Sequence, residues 1–202
     1  LWHSFFASNR TFVSVDKADL VATQALQNLA EAADIICVDG QTGFIDLEVA
    51  KAANPALVVI ELSSFGDSGP WVNYLAPDIV AGALGGAAAT TGDVDTPPLK
   101  HFGDLNFMLS GAYVAIAALS ALHYQRTTGR GQRAQLTVHE CIASCLEHVF
   151  MFYFYQQSIN RPEGRVLPRR GALHWSDAYD VVPGKNGAIM VTPAPDFDAQ
   201  LM

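Results

Sequence analysis

The sequence predicts an α/β fold: a Rossmann-like parallel sheet flanked by helices, followed by the start of a second, smaller domain. Two short apolar runs, Ile35–Val38 and Leu57–Leu62, are typical of buried strands, and helical periodicity precedes and separates them. A weaker alternating run at Phe12–Val15 predicts a strand ahead of the first helix. Strand, helix, strand, helix, strand at these spacings implies right-handed crossovers and a parallel sheet.

The helices are predicted from their start and stop signals. Asp16 and Asp19 precede an apolar-periodic run that ends near Leu29, and Asp46 begins a second run that Pro55 stops. The remaining predicted elements are a helix over residues 76–92, a strand over 134–137 and an aromatic-rich helix over 139–155.

Three segments follow from the changes in composition. Residues 1–157 form a large domain, residues 158–173 a polar and basic linker, and residues 174–202 the beginning of the smaller domain. In the last segment, Trp175–Val182 and Ala188–Thr192 predict two strands joined by a turn at residues 183–187.

Composition excludes several classes of protein. The chain has 202 residues, half of them hydrophobic, and a formal net charge of −8. That length and hydrophobic content suit a globular core, and the acidic balance argues against a nucleic-acid partner. Polar residues interrupt every apolar run and no signal-peptide pattern is found, which predicts a cytoplasmic protein without a membrane span.

The cysteines predict neither a disulfide framework nor a metal site. Cys37, Cys141 and Cys145 show no Cys-x-x-Cys spacing, which suits a reducing compartment. Cys141, Cys145 and His148 fall on adjacent helical turns, but small cysteines among apolar neighbours are more often core residues. We therefore expect no bound metal.

Asp104 is the main candidate for chemistry. It stands directly before Leu105, where a helix with one buried face is predicted. The apolar positions of that face recur at three- and four-residue steps and are Met108, Leu109, Ala112, Ile116, Leu119 and Leu122. A short acidic residue at that place is first of all an N-cap, which accepts hydrogen bonds from the free amides of the first turn. The pattern alone favours this structural role.

Three motifs add a functional interpretation, because their order along the chain resembles that of the family III CoA-transferases, to which the α-methylacyl-CoA racemases are related. The motifs are Ser64-Phe65-Gly66-Asp67-Ser68-Gly69-Pro70, Gly85-Gly86-Ala87-Ala88-Ala89-Thr90-Thr91-Gly92, and Arg126-Thr127-Thr128-Gly129-Arg130-Gly131-Gln132. The resemblance implies that Asp104 is the nucleophile and that Gly103 leaves room for the acyl group. It also implies that the usual N-terminal strand and helix are missing, so that the chain is a fragment of a protein about twice as long.

The resemblance further implies the ligands and the assembly. The substrates would be an acyl-CoA and a carboxylic acid, with the CoA thioester as substrate and no additional cofactor. We expect CoA contacts from Arg10, Phe65, Gly66, Gly103 and Arg130. An acidic protein must meet the CoA phosphates through local positive charge and backbone amides. Other candidates for this role are Lys100, Arg126, Arg133 and the backbone amides of residues 66–69. Members of the family form interlocked homodimers, and an apolar segment at Val138–Tyr155 suits such an assembly.

Two alternatives stay open. The related racemases carry a His before an Asp where this chain has Pro77 and Asp78, and a proline cannot act as a base, which disfavours racemase activity. A family member that keeps the fold without the chemistry is the second alternative, because no polyglycine loop follows the aromatic-rich segment.

Overall fold

A computed structural model describes residues 2–40, 43–92, 96–147, 149 and 180–191. The chain divides into two compact units, Leu1–Glu61 with Ala117–Ala134, and Leu62–Ile116 with Gln135–Met202. The described elements are α1 (Trp2–Phe6), α2 (Leu20–Glu31), β1 (Ile35–Asp39), α3 (Leu47–Ala53), β2 (Val58–Ser63), α4 (Asp78–Leu84), α5 (Ala87–Thr90), α6 (Leu105–Thr128), β3 (Arg133–Thr137), α7 (Val138–Ser144), β4 (Asp180–Gly184) and β5 (Gly187–Val191).

The α/β class is confirmed as a three-stranded parallel sheet flanked by helices. The strand order is β1-β2-β3, and the central strand carries Val58, Val59 and Ile60, which are 0% exposed. The third strand comes from the segment after α6, where residues 134–137 predicted it. The strand predicted at Phe12–Val15 is wrong: Phe12 and Val13 are 66% and 70% exposed, and these residues join no ladder. A four-residue run becomes a strand only where a neighbouring strand pairs with it.

The predicted starts of α2 and α3 are confirmed. The Asp19 carboxylate accepts hydrogen bonds from the backbone amides of Val21 and Ala22, each at 3.0 Å. Asp46 makes the same pair of contacts at the start of α3. Both helices therefore have an aspartate N-cap, which satisfies two amides that have no partner within the helix.

The single helix predicted over residues 76–92 is two short helices, α4 and α5. Gly86 separates them with a φ of +90°, a conformation that glycine adopts without strain. Gly85 also lies against α7, because a Cβ at this position would stand 2.6 Å from Cβ of Ile142. The glycine pair thus serves close helix packing.

Helix α6 differs from the prediction in the face that it buries. Its buried residues include Asn106, Ser110, Ala118 and Ala121, whereas Ile116 and Leu119, two members of the predicted apolar face, are 60% and 65% exposed. Within the described residues, it is also the one helix whose length and hydropathy would let it cross a membrane, although the sequence predicted none. The core helix of a soluble protein meets the same criterion.

The glycines that follow α6 have structural roles. Gly129 adopts a φ of +73°, and its N–H donates to the carbonyl of Gln125 at 2.7 Å, which ends the helix. Any Cβ on Gly131 would overlap the carbonyl group of Leu57 on the neighbouring segment. These two positions of the third motif are therefore explained by the fold.

Two features of the C-terminal elements differ from the prediction, the end of α7 and the length of the last turn. Helix α7 ends at Ser144, because the N–H groups of Cys145 and Leu146 donate three residues back and tighten the last turn. Strands β4 and β5 form the expected antiparallel hairpin, with Gly184 paired to Gly187, so the turn has two residues instead of five. The predicted domain boundaries at 157/158 and 173/174 lie outside the described residues, as does the aromatic end of the segment Val138–Tyr155, and stay predictions.

Candidate functional site

The candidate site is the start of α6, where Asp104 precedes the first helical residue. The Asp104 side chain is exposed, and its backbone carbonyl accepts the N–H of Met108 at 3.0 Å. Among the described residues, none donates a hydrogen bond to the Asp104 carboxylate and no cation pairs with it. The local N-cap predicted from the sequence is therefore wrong.

Asp78, the first residue of α4, supplies the cap of α6 instead. Its Oδ1 accepts the backbone N–H of Phe107 at 3.1 Å, in the first turn of α6. Its Oδ2 accepts from Nδ2 of Asn106 at 2.8 Å, and the same Nδ2 donates to the Asp78 carbonyl at 3.1 Å. Asp78 and Asn106 are 4% and 1% exposed, so this cap is a buried polar contact between two helices.

Lys100 completes the network and ties it to the segment before Asp104. Its ammonium lies 3.1 Å from Oδ2 of Asp78. The same Nζ donates to the carbonyl oxygens of His101, at 3.2 Å, and of Gly103. One carboxylate thereby fixes both the first turn of α6 and, through Lys100, the segment that leads into Asp104.

These contacts set the ionisation of Asp78. Burial raises the pKa of this carboxyl group, but hydrogen bonds from Asn106, Lys100 and the Phe107 amide, with the charge of Lys100, together lower the pKa below its ordinary value. Asp78 is consequently an anion at neutral pH, with its charge balanced inside the network.

Gly103 has the open surroundings that an approaching group requires. Its φ is +63°, and an added Cβ would meet no atom within 4 Å. The adjacent Phe102 is 97% exposed. Within the described part of the chain, the Asp104 carboxylate and the Cα atom of Gly103 are therefore accessible to a ligand.

Phe65 and Gly66 lie in the loop after β2, where the sequence placed them. The Phe65 ring packs 5.6 Å from the Trp71 ring and 5.5 Å from the His139 ring. Gly66 has a φ of +88°, and its N–H donates to Oγ of Ser63 at 2.8 Å. That amide is therefore not one of the free donors predicted for a phosphate, and a CoA contact by either residue stays a prediction.

The basic candidates separate into paired and unpaired residues. The Arg133 guanidinium donates to the Glu61 carboxylate at 2.6 and 3.1 Å and lies 3.5 Å from the Glu48 carboxylate. Lys100 pairs with Asp78. Neither positive charge is therefore free for a phosphate. Arg10, Arg126 and Arg130 are exposed and make no ion pair among the described residues. Arg10 and Arg130 belong to the first compact unit and Asp104 to the second, and Arg130 follows the opposite end of α6. Their CoA roles stay predictions.

The cysteines give no indication of a metal centre in the part of the chain that the structure describes. No group of three potential ligands occurs there, and His148 lies outside it. Cys141 is buried as expected, whereas Cys145 is exposed, which differs from the core position predicted for it.

Comparison with known proteins identifies the family. A model described as CoA-transferase family III matches residues 1–201, and the chain belongs to this family. It is 26% identical over 173 residues to a succinyl-CoA–D-citramalate CoA-transferase from Chloroflexus aurantiacus, an alignment that covers 83% of this chain and 43% of that protein. It is 28% identical over 186 residues to a formyl-CoA:oxalate CoA-transferase from Escherichia coli, covering 85% and 45%. The chain thus spans about half the length of these relatives.

Solved structures support the fold. A CaiB/BaiF family protein from Brucella suis superposes with a TM-score of 0.77 at 24% identity, over 89% of this chain and 47% of that one. A hypothetical protein from Mycobacterium tuberculosis gives a TM-score of 0.62 at 22% identity, over 71% and 43%. At this identity the similarity establishes the architecture and leaves the chemistry to the residues.

Sequence analysis missed the network around Asp78 and Asn106. Asp78 is the first residue of α4, and Pro77 is its N-cap. No local pattern connects Asp78 with the amide of Phe107, because the two are 29 positions apart. The available signal was a polar Asn106 at the start of a mostly apolar helix, since an amide that becomes buried there requires partners.

Proposed function

We propose that the protein is an acyl-CoA:carboxylate CoA-transferase and that Asp104 is its nucleophile. The observation that carries the proposal is the uncommitted Asp104 carboxylate, exposed at the start of a helix whose cap is provided by Asp78. A side chain that served as the cap would have its oxygens directed at amides. Here the oxygens are left for an electrophile, and family membership supplies the class of substrate.

The reaction balances with the Asp104 carboxylate as the only covalent group of the protein. Its oxygen attacks the thioester carbonyl and the C–S bond breaks, which releases CoA as a thiolate and forms a mixed anhydride between Asp104 and the acyl group. The thiolate then attacks the carbonyl carbon of Asp104, which releases the donor acid and leaves an aspartyl thioester. The acceptor carboxylate displaces the thiolate to form a second anhydride, and thiolate attack on its acyl carbon yields the new thioester and regenerates Asp104.

Trapping of the intermediate tests the proposal. The complete protein is incubated with acetyl-CoA and hydroxylamine, which converts an aspartyl anhydride or thioester into a hydroxamate. The proteolytic peptides are then analysed by mass spectrometry. We expect the modification on the peptide that contains Asp104. Asp104→Asn should abolish it, and Asp46→Asn, a matched change at the N-cap of α3, should not. An unmodified wild-type peptide under turnover conditions would contradict the assignment.

One observation and two experimental outcomes bear on the alternatives. Pro77 offers no titratable atom beside Asp78, which argues against a racemase that removes and returns an α-proton. Wash-in of solvent deuterium at the α-carbon of a 2-methylacyl-CoA, at a rate comparable with transfer, would favour the racemase instead. A member without chemistry would bind CoA thioesters and give no hydroxamate.

The proposed function includes a homodimer. Large apolar side chains along α6 are exposed, and the exposed fractions of Ile116 and Leu119 are 60% and 65%. A second copy of the chain would bury such a surface. The complete protein should therefore sediment as a dimer at micromolar concentration. A monomer that persists at high concentration would contradict the proposed assembly.

A further inference from the structure

The turn directly before Asp104 is not held by side-chain packing. Gly103 adopts a φ of +63°, and no atom lies within 4 Å of the place where its Cβ would stand. The side chain before it, Phe102, is 97% exposed. Glycine populates positive and negative φ about equally well, so the residue itself does not fix its conformation. The backbone contacts of this turn therefore decide the direction in which the Asp104 side chain leaves the chain.

Lys100 supplies those backbone contacts. Its Nζ donates to the carbonyl oxygen of Gly103 and, at 3.2 Å, to that of His101, and it lies 3.1 Å from Oδ2 of Asp78. An ammonium group has three N–H donors, and these three acceptors use all of them. Among the described residues, Lys100 forms its ion pair with Asp78 and none with Asp104. Its direct connection to the proposed nucleophile is therefore the Gly103 carbonyl.

The Gly103 carbonyl belongs to the peptide group that leads into Asp104. This peptide is trans, and its plane contains the Cα atoms of both residues. A hydrogen bond to the carbonyl oxygen thus orients the plane from which the Asp104 side chain extends. Lys100 can in this way set the position of a carboxylate that it does not contact.

The backbone of Lys100 is itself anchored to the residue that follows α5. The N–H of Leu99 donates to the carbonyl of Thr91 at 3.1 Å. On the other side of Lys100, Nε2 of His101 lies 3.1 Å from Oγ1 of Thr91. Both neighbours of Lys100 are therefore held by Thr91, and the lysine side chain starts from a fixed point.

Asp78 anchors the other end of the Lys100 side chain. This carboxylate is 4% exposed, and its Oδ1 accepts the N–H of Phe107, three residues after Asp104. Its Oδ2 pairs with Lys100, which holds the residue before Asp104. The ion pair between Asp78 and Lys100 therefore bridges the backbone on both sides of the proposed nucleophile.

We propose that Lys100 is a positioning residue for the nucleophile: anchored by Asp78, it fixes the peptide between Gly103 and Asp104 so that the carboxylate faces the thioester carbonyl. This inference rests on the proposed function. A reactant that is held in the attacking geometry reacts faster, and a displacement of about 1 Å can lower the rate about 100-fold. Lys100 accordingly acts on the covalent step and leaves the affinity for the CoA thioester unchanged.

The rate of hydroxamate formation on Asp104 tests this role, because it requires no acceptor acid. For the complete protein at saturating hydroxylamine, we measure the maximal rate and the acetyl-CoA concentration that gives half of it. Lys100→Met should lower the maximal rate by at least about tenfold and change the half-saturating concentration by less than about threefold. Lys51→Met, the same change in the last turn of α3, should alter neither value.

The same two values separate the alternatives. A higher half-saturating concentration with an unchanged maximal rate would mean that Lys100 binds the CoA thioester, which overturns the proposal. Values equal to those of Lys51→Met would overturn it as well. If Lys100→Met does not fold, Lys100→Arg keeps a cation beside Asp78, but a planar guanidinium cannot direct its donors as an ammonium does, so the maximal rate should still fall.

Crystal structures of the complete wild type and of Lys100→Met test the contact independently of activity. In the variant we expect the Gly103 φ to leave its value of +63°, or the B-factors of residues 102–104 to rise relative to those of α6. An unchanged and equally ordered segment would overturn the positioning role, whatever the trapping shows. Absence of hydroxamate from the wild type would instead overturn the proposed function itself.

Discussion

Oδ1 of Asp78 accepts the backbone N–H of Phe107 at 3.1 Å, which makes a side chain on α4 the cap of α6. This contact changes the meaning of Asp104, the residue at which a local cap is expected. Because Asp78 satisfies an amide of the first turn, the Asp104 carboxylate has no structural duty among the described residues. The fold thus keeps an aspartate at a helix start and leaves it available for chemistry.

The first prediction separates the two roles of aspartate by stability. Asp104→Ala should change the free energy of unfolding by less than about 0.5 kcal/mol, whereas Asp19→Ala, which removes the N-cap of α2, should cost about 1 kcal/mol. Urea titrations of both variants measure the difference. An Asp104→Ala loss equal to that of Asp19→Ala would show that Asp104 acts as a cap after all.

The second prediction concerns the buried network. Asp78→Ala should destabilise the protein by about 3 kcal/mol, because it removes the cap of α6 and leaves Asn106 and Lys100 without their shared acceptor. Lys100→Met should cost less, since the Lys100 side chain is 34% exposed and its charge can be hydrated.

A double-mutant cycle measures whether the two residues act together. The loss of stability in the variant with both Asp78→Ala and Lys100→Met should be smaller than the sum of the losses in the two single variants. Each single change already removes the interaction between the two side chains, so the second change cannot remove it again. Additive effects would contradict the network. The matched pair is Arg133 and Glu61, an ion pair elsewhere in the chain with 40% and 21% side-chain exposure, for which we expect a smaller coupling energy.

The third prediction follows from the lowered pKa of Asp78. A carboxyl group whose pKa is lower in the folded state adds stability above its unfolded pKa, and this contribution disappears as the pH falls through the folded value. The stability difference between wild type and Asp78→Asn should therefore be constant from pH 7 to about pH 5 and shrink below about pH 4. Denaturant titrations across this range measure it. A difference that grows on acidification would mean that burial dominates and the pKa is raised.

Local sequence signals predicted the local features of the fold. The caps Asp19 and Asp46 lie within three residues of the amides that they bind, so the chain order itself contains the information. The cap of α6 depends on the packing of α4 against α6, which no short pattern records. The same reason explains Phe12–Val15, whose alternation had no neighbouring strand to pair with.

The candidate site could be predicted in part. Asp104 and Gly103 were found from motif order, and the structure adds the open side of Gly103. The contact between Asn106 and Asp78 could not be predicted, because the two residues are 28 positions apart and meet only when α4 packs against α6. The pairing of Lys100 with Asp78 could not be predicted for a related reason, because a free and a paired lysine look alike in a sequence.

The last prediction tests whether the third motif is structural. Gly131 approaches the Leu57 carbonyl so closely that a Cβ would overlap it, and its N–H donates to the carbonyl of Pro55 at 2.9 Å. Gly131→Ala must therefore displace the segment that leads from α6 into β3, and we expect a loss of about 3 kcal/mol. Gly111→Ala is the matched control, because Gly111 lies within α6 with no atom within 4 Å of an added Cβ, and alanine there should be neutral or stabilise by up to about 1 kcal/mol. Thermal unfolding of the two variants measures the contrast. If Gly131→Ala has the melting temperature of the wild type but raises KM for the CoA thioester, the glycine contributes to ligand binding and the structural assignment is wrong.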